Sequence, residues 1–179
     1  LILGQLQDLT ENHSRQASKS IKNNAIRLLR LVDQLIDMRK LDQDHMQLSV
    51  RRANIVEFTR EIIQSFKISA IKKGIDIDFR PESEAIMLWF DHDKMEKILY
   101  NLISNSIKYS PNNKQISVII KKHNDQIMLS VKDEGYGISK DDLTDIFDRY
   151  KRGRTNSKDG HGIGLALVKG LVDAHHAEI

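Results

Sequence analysis

The stretch Asp91 to Pro111, DHDKMEKILYNLISNSIKYSP, constrains this chain more than any other. Its apolar residues Met95, Ile98, Leu99, Leu102, Ile103 and Ile107 recur at intervals of three and four. That is the period of a helix with one buried face. Asp93, with Glu96 three residues on, predicts a capping box at the start, and Ser110-Pro111 predicts the stop. On the other face Lys97, Asn101, Asn105 and Lys108 fall within about 80° of one another at ~100° per residue. Asparagine inside a helix costs up to ~0.7 kcal/mol relative to alanine, because its amide competes for the backbone. Two of them one turn apart, closed by a lysine, make an uncharged polar strip able to hold a ligand.

The rest of the chain predicts what surrounds that helix. Leu1, Leu3, Leu6 and Leu9 line one side of a helix, a polar link is expected over His13 to Ser18, and a second helix runs to about Leu41 on Ile21, Ala25, Leu28, Val32 and Leu35. This is the pattern of a helical hairpin whose wide apolar stripe asks for a partner copy, as in a four-helix bundle made by a dimer. Beyond residue 45 alternation predicts strands over Met46 to Arg52, Ile75 to Phe79, Ile116 to Lys122 and Ile127 to Lys132, and the short apolar run Ile86 to Phe90 predicts another. Helices are expected after the cap Asn54, after Ser139, and from about Ile163 to His176. The polar, breaker-rich run 149 to 160 reads as a loop. The fold class is therefore α/β: a helical hairpin over residues 1–45, then a two-layer α/β sandwich over 46–179.

Composition narrows the function. A net charge of +3 with 6% aromatic residues and no basic run interleaved with aromatics argues against nucleic acid. No apolar run approaches the ~20 residues of a membrane span. The absence of cysteine removes disulfides and thiolate metal sites and suits a reducing compartment.

Two glycine patterns complete a candidate site. Strand Ile127 to Lys132 runs into Asp133-Glu134-Gly135-Tyr136-Gly137, a D-x-G-x-G turn. Glycines there allow close backbone approach to a ligand, and the carboxylate can accept from an exocyclic amine. Gly160-His161-Gly162-Ile163-Gly164-Leu165 opens the last helix, where backbone N–H groups form an anion site. A dinucleotide fold is excluded, because this second pattern follows a polar loop and not a strand.

An Asn-x-x-x-Asn helix, D-x-G-x-G after a strand, then a loop and G-x-G-x-G before a helix resembles the ATP-binding domain of sensor histidine kinases, within the wider family of gyrase, Hsp90 and MutL. NLISNSIKYSP resembles the N box, DEGYGIS the first glycine box, IFDRYKRG the phenylalanine-centred box and GHGIGLALVK the second glycine box. LLRLVDQLIDMRKLD is similar to the second dimerisation helix of these kinases, especially the hybrid sensors of Bacteroidetes.

The resemblance implies ATP and Mg²⁺ as cofactors. It implies that Asn105 ligates Mg²⁺, Asn101 lies beside the phosphates, Lys108 pairs with phosphate charge and Tyr109 packs near the adenine or ribose. Asp133 is implied as the acceptor for the adenine amine, with Gly135, Gly137 and Ile138 bordering the ring. Arg149 and Arg152, with the loop to Gly160, are implied as the ATP lid. Gly162, Ile163, Gly164 and Leu165 are implied at the phosphates. Implied partners are a second copy of the chain and a response-regulator receiver domain. The implied place is the cytoplasmic part of a membrane sensor, with any membrane contact made by segments outside this sequence.

The phosphoacceptor histidine of such kinases is followed by an acidic residue. His13 is followed by Ser14 and Arg15, so the acceptor is expected upstream of Leu1, and the last strands of the sheet after Ile179. Members of the wider family that hydrolyse ATP carry a glutamate where this chain has Asn101, and an amide cannot act as a general base. The expected reaction is transfer of the γ-phosphate to a histidine of the kinase's own dimer. A non-catalytic nucleotide-binding module is the alternative from another class, and an ATPase is disfavoured by Asn101.

Overall fold

The computed structural model describes residues 2–43, 45–124, 126–149 and 162–179. It divides into two units, Leu1–Asp44 and His45–Ile179.

The first unit is one helix, α1, Ile2–Asp42. The expected link at His13 to Ser18 is helical, so no hairpin forms within this unit. The physical reason is plain in HSRQAS: the run is polar, but it holds neither glycine nor proline, and arginine, glutamine and alanine all favour helix.

In the second unit β1 (Val50–Asn54) pairs antiparallel with β3 (Met87–Asp91). β2 (Asp76–Pro81) pairs parallel with β4 (Gln115–His123), which pairs antiparallel with β5 (Gln126–Asp133). The helices are α2 (Ile55–Lys72), α3 (His92–Tyr109), the short α4 (Lys140–Leu143) and α5 (Gly164–Ala174). The core forms where alternation meets the helical period. Ile116, Val118 and Ile120 are the buried set of β4, spaced by two as one face of a pleated strand must be. Against Ile116 and Val118 pack Ile62, Phe66 and Ala70 of α2 and Leu99, Ile103 and Ile107 of α3. Phe90, at the end of β3, joins Ile55, Val56 and Ile120 in an adjoining cluster.

Asn54 caps α2 as its position predicts, accepting at Oδ1 from Val56 N–H at 3.1 Å and also from Ile86 N–H at 3.1 Å. The cap of α3 differs from expectation. Asp91, not Asp93, is the N-cap, accepting from Lys94 N–H at 3.0 Å and from Ser49 N–H at 2.7 Å. Asp91 ends β3, so its carboxylate joins strand to helix.

Candidate nucleotide site

The site is built along α3. Lys73, just past the end of α2, donates from Nζ to the carbonyls of Ile107 at 2.8 Å, Lys108 at 3.1 Å and Ser110 at 3.3 Å. Those are carbonyls a helix end leaves without intrahelical partners, and a cation there also suits the helix dipole. The end of α3 that carries Lys108 and Tyr109 is thereby fixed.

The D-x-G-x-G turn is joined to the same end. Tyr136 N–H donates to Tyr109 O at 3.3 Å. A β-carbon on Gly135 would lie 2.8 Å from Tyr109 O and 2.7 Å from Asp133 Oδ1, so only glycine fits. Gly137 has φ +70°, a conformation that side chains with a β-carbon disfavour. The Asp133 carboxylate accepts from Gly135 N–H at 2.9 Å on Oδ1 and from the Ser106 hydroxyl at 3.1 Å on Oδ2. Ser106 is buried, whereas Asp133 is exposed. The carboxylate is thus held in one orientation, with lone pairs left for a ligand.

At the other end, Asn101 is buried against the start of α5 and does not lie on a solvated face. Its Nδ2 donates to Lys97 O at 2.8 Å, and a β-carbon on Gly164 would lie 2.9 Å from its Oδ1. Among the described residues α5 has no side-chain cap: Ile163 is its N-cap residue and is buried. Gly162 before it has φ +67°, and Leu165 is half-buried. Backbone N–H groups at such a helix start are the kind that bind an anion.

Asn105 is half-buried on α3 between these ends. Lys108 Nζ donates to Tyr109 OH at 3.2 Å and stands 4.7 Å from the centre of that ring. Ile138 is exposed, as is Arg149. Arg152 and Gly160 lie outside the described residues. The structure therefore brings Asn101, Asp133, Tyr109, Gly135 and Gly164 onto one helix and its two neighbours.

Two residues of this arrangement escaped the sequence reading. Ser106 falls three residues after Ile103, in the apolar stripe itself. A hydroxyl in a core slot signals a buried partner, and that signal was available. Lys73 read only as part of a helix-ending Lys72-Lys73-Gly74, and nothing local marks its reach to α3.

Among the described residues no three His, Cys, Asp or Glu side chains are grouped to hold a metal ion. Asn105 offers one amide oxygen. That donor set fits Mg²⁺, which keeps several waters and binds chiefly through substrate phosphates.

Comparison with known proteins agrees with this geometry. Residues 90–179 match the family described as Histidine kinase-, DNA gyrase B-, and HSP90-like ATPase. Histidine kinase P4 of Formosa agariphila is 34% identical over 190 aligned residues, covering 100% of this chain and 14% of that protein. Sensor histidine kinase YvrG of Bacillus subtilis is 30% identical, covering 96% of this chain and 30% of that protein. Full-length ShkA, solved in complex with AMPPNP, superposes with a TM-score of 0.72 at 26% identity, over 83% of this chain and 31% of that one. The chain belongs to the histidine kinase-, gyrase B- and HSP90-like ATPase family, on the branch of two-component sensor histidine kinases. It spans less than a third of the length of each of these relatives.

Proposed function

We propose that this chain binds Mg²⁺-ATP and serves as the phosphoryl donor core of a sensor histidine kinase, passing the γ-phosphate to a histidine of its own dimer for relay to a response-regulator aspartate. One observation carries the reading. Asp133, held by Ser106, and Gly164, set against Asn101, meet the same helix at positions about 7.5 Å apart along its axis, at ~1.5 Å per residue. A ligand lying along α3 meets a fixed hydrogen-bond acceptor at one end and uncapped helix N–H groups at the other. A nucleotide has the matching chemistry, an amine on its base and anionic phosphates. That ShkA was solved with AMPPNP agrees with a nucleotide here.

The roles follow from the residues. Asp133 accepts from the adenine amine, and Gly135 and Gly137 leave room for the ring. The start of α5, at Gly162 to Leu165, faces the phosphates with backbone N–H groups. Lys108 swings from Tyr109 toward phosphate charge, and Arg149, with Arg152 and the loop to Gly160, covers the nucleotide. Asn105 holds Mg²⁺, which neutralises phosphate charge when bound. Asn101 cannot take a proton from water, so ATP is kept for transfer to a side chain. Positioning supplies most of the catalysis in such a transfer.

Self-association is supported by α1. Ile21, Leu28, Leu29, Val32, Leu35 and Ile36 are all exposed along it. A stripe of that width on one helix suits a helical bundle with a second copy.

Thermal unfolding with Mg²⁺-ATP, Mg²⁺-GTP and Mg²⁺ alone tests the reading. A ligand at 100 times its Kd stabilises by about 2.7 kcal/mol. We expect a clear upward shift with ATP and little with GTP, and Asp133→Ala should remove most of the difference. Equal shifts with the two nucleotides, or none, would refute the adenine site.

A further inference from the structure

We infer that Ser106 is a base-selecting residue, which sets the adenine preference by committing its hydroxyl proton to Asp133. The inference rests on the nucleotide reading above and adds to it a residue of the N-box stretch to which the resemblance gives no role. Ser106 Oγ donates to Asp133 Oδ2 at 3.1 Å, while Gly135 N–H donates to Oδ1 at 2.9 Å. Each carboxylate oxygen therefore has one donor from the protein and keeps a lone pair for a ligand.

The consequence for selection follows from counting protons. A serine hydroxyl has one proton and two lone pairs. With that proton on Asp133, the pair offers an incoming base lone pairs only. Adenine presents N–H donors on its exocyclic nitrogen and is accepted. Guanine presents a carbonyl oxygen at the same place, and acceptor faces acceptor. Ser106 is 5% exposed, so its hydroxyl has little water to turn to and its proton stays on Asp133. Discrimination is strong where a wrong ligand leaves buried polar groups unpaired.

Ser106 also fixes the direction of the carboxylate. Asp133 lies at the end of β5, followed by a turn that needs two glycines, and Oδ1 accepts from Gly135 N–H of that turn. Without the serine, the second oxygen has no partner on α3, and the carboxylate is free to rotate about its χ2 torsion, which is broad for aspartate. The base then meets an acceptor that is present but poorly aimed.

The test measures Kd for Mg²⁺-ATP and Mg²⁺-GTP on the full chain, its Asp133→Ala variant, and Ser106→Ala and Ser106→Thr variants. Thermal unfolding without nucleotide follows the fold of each. Losing the hydroxyl that aims the carboxylate predicts ATP binding weaker by about fivefold in Ser106→Ala. GTP should move by less than about twofold, because it never used the oriented pair. Ser106→Thr keeps the hydroxyl and should keep the preference. A Ser106→Ala variant with an unchanged ATP-to-GTP ratio overturns the inference, whether both affinities hold or both fall together. So does a threonine variant of wild-type stability that selects no better than the alanine one. If Asp133→Ala abolishes the preference while Ser106→Ala leaves it intact, the inference alone fails. If the unmutated chain shows no adenine preference, the nucleotide reading fails and takes the inference with it.

Discussion

Gly164 begins α5 so close to Asn101 that a β-carbon on it would stand 2.9 Å from the asparagine's amide oxygen. The amide is not free to swing aside at no cost, since its nitrogen donates to Lys97 O at 2.8 Å and the residue is buried. The third glycine of GHGIG is therefore set by contact with the N-box helix. Its φ is not in the positive range, unlike that of Gly162.

Gly164→Ala should move the Asn101 amide or the first turn of α5 by a few tenths of an ångström. Alanine favours helix over glycine by ~1 kcal/mol, which offsets part of the strain, so overall stability should change little. Nucleotide affinity should not be spared, because in the proposed reading the displaced groups face the phosphates. We expect Kd for a fluorescent ATP analogue to rise about tenfold, or ~1.4 kcal/mol, with the unfolding midpoint nearly constant. A wild-type Kd in the folded variant would show that this contact does not shape the site.

Asn105 is the amide on which Mg²⁺ binding depends in the proposed reading. Asn105→Ala removes a neutral oxygen ligand from a cation that otherwise relies on phosphate and water. The expected outcome is a loss of the Mg²⁺-dependent part of ATP affinity, with metal-free binding barely altered. Titrations with Mg²⁺ and with EDTA separate the two. If Mg²⁺ strengthens ATP binding as much in the variant as in the unmutated chain, Asn105 is not the ligand.

Lys73 holds three carbonyls at the end of α3 with one ammonium group. Hydrogen bonds to a charged group are worth about 1.5–3 kcal/mol, and carbonyls left behind in a half-buried place lose solvation. Lys73→Met keeps the length of the side chain and removes the donor. We expect a loss of about 1–3 kcal/mol in urea unfolding, with faster hydrogen exchange at the last turn of α3. Unchanged stability would mean that water replaces the ammonium without penalty.

What the sequence disclosed, and what it withheld, divides along physical lines. α3, the strands from Ile116 onward and the caps Asn54 and Ser139 follow from period and local chemistry, and they lie where those rules put them. His13 to Ser18 is polar, but no residue there opposes a helix, so its polarity marks no break. The choice of Asp91 over Asp93 was invisible locally. Both are aspartates flanking His92, and only the long-range bond from Ser49 N–H, with the end of β3, favours the first. The same holds for Ser106 and Asp133, which meet across 27 positions of sequence. Motif spacing points to the two ends of the candidate site, but the contacts that aim its side chains are tertiary.

Asp91 gives the last prediction, on pH. Burial pushes its carboxyl up, but backbone N–H bonds from Ser49 and Lys94, with the nearby charge of Lys94, outweigh burial and hold it below its ordinary 3.8. Asp91 N–H in turn donates to His175 Nε2 at 3.3 Å, so strand end, helix cap and the end of α5 share this residue. A carboxyl lowered by folding stabilises fully above its unfolded value and loses that contribution as pH falls through the folded value. Stability of the unit His45–Ile179 should therefore fall as pH drops below about 3.8, where the unfolded chain takes up the proton first. Asp91→Asn keeps a capping oxygen and removes the titration, so its stability should depend less on pH in that window. At neutral pH it should be less stable than the unmutated chain by about 1–3 kcal/mol, because an amide has one oxygen where Ser49 N–H and Lys94 N–H use two. Urea unfolding at pH 7, 4 and 3 measures both effects. Parallel pH dependence in the two proteins would show that Asp91 does not carry this part of the acid sensitivity.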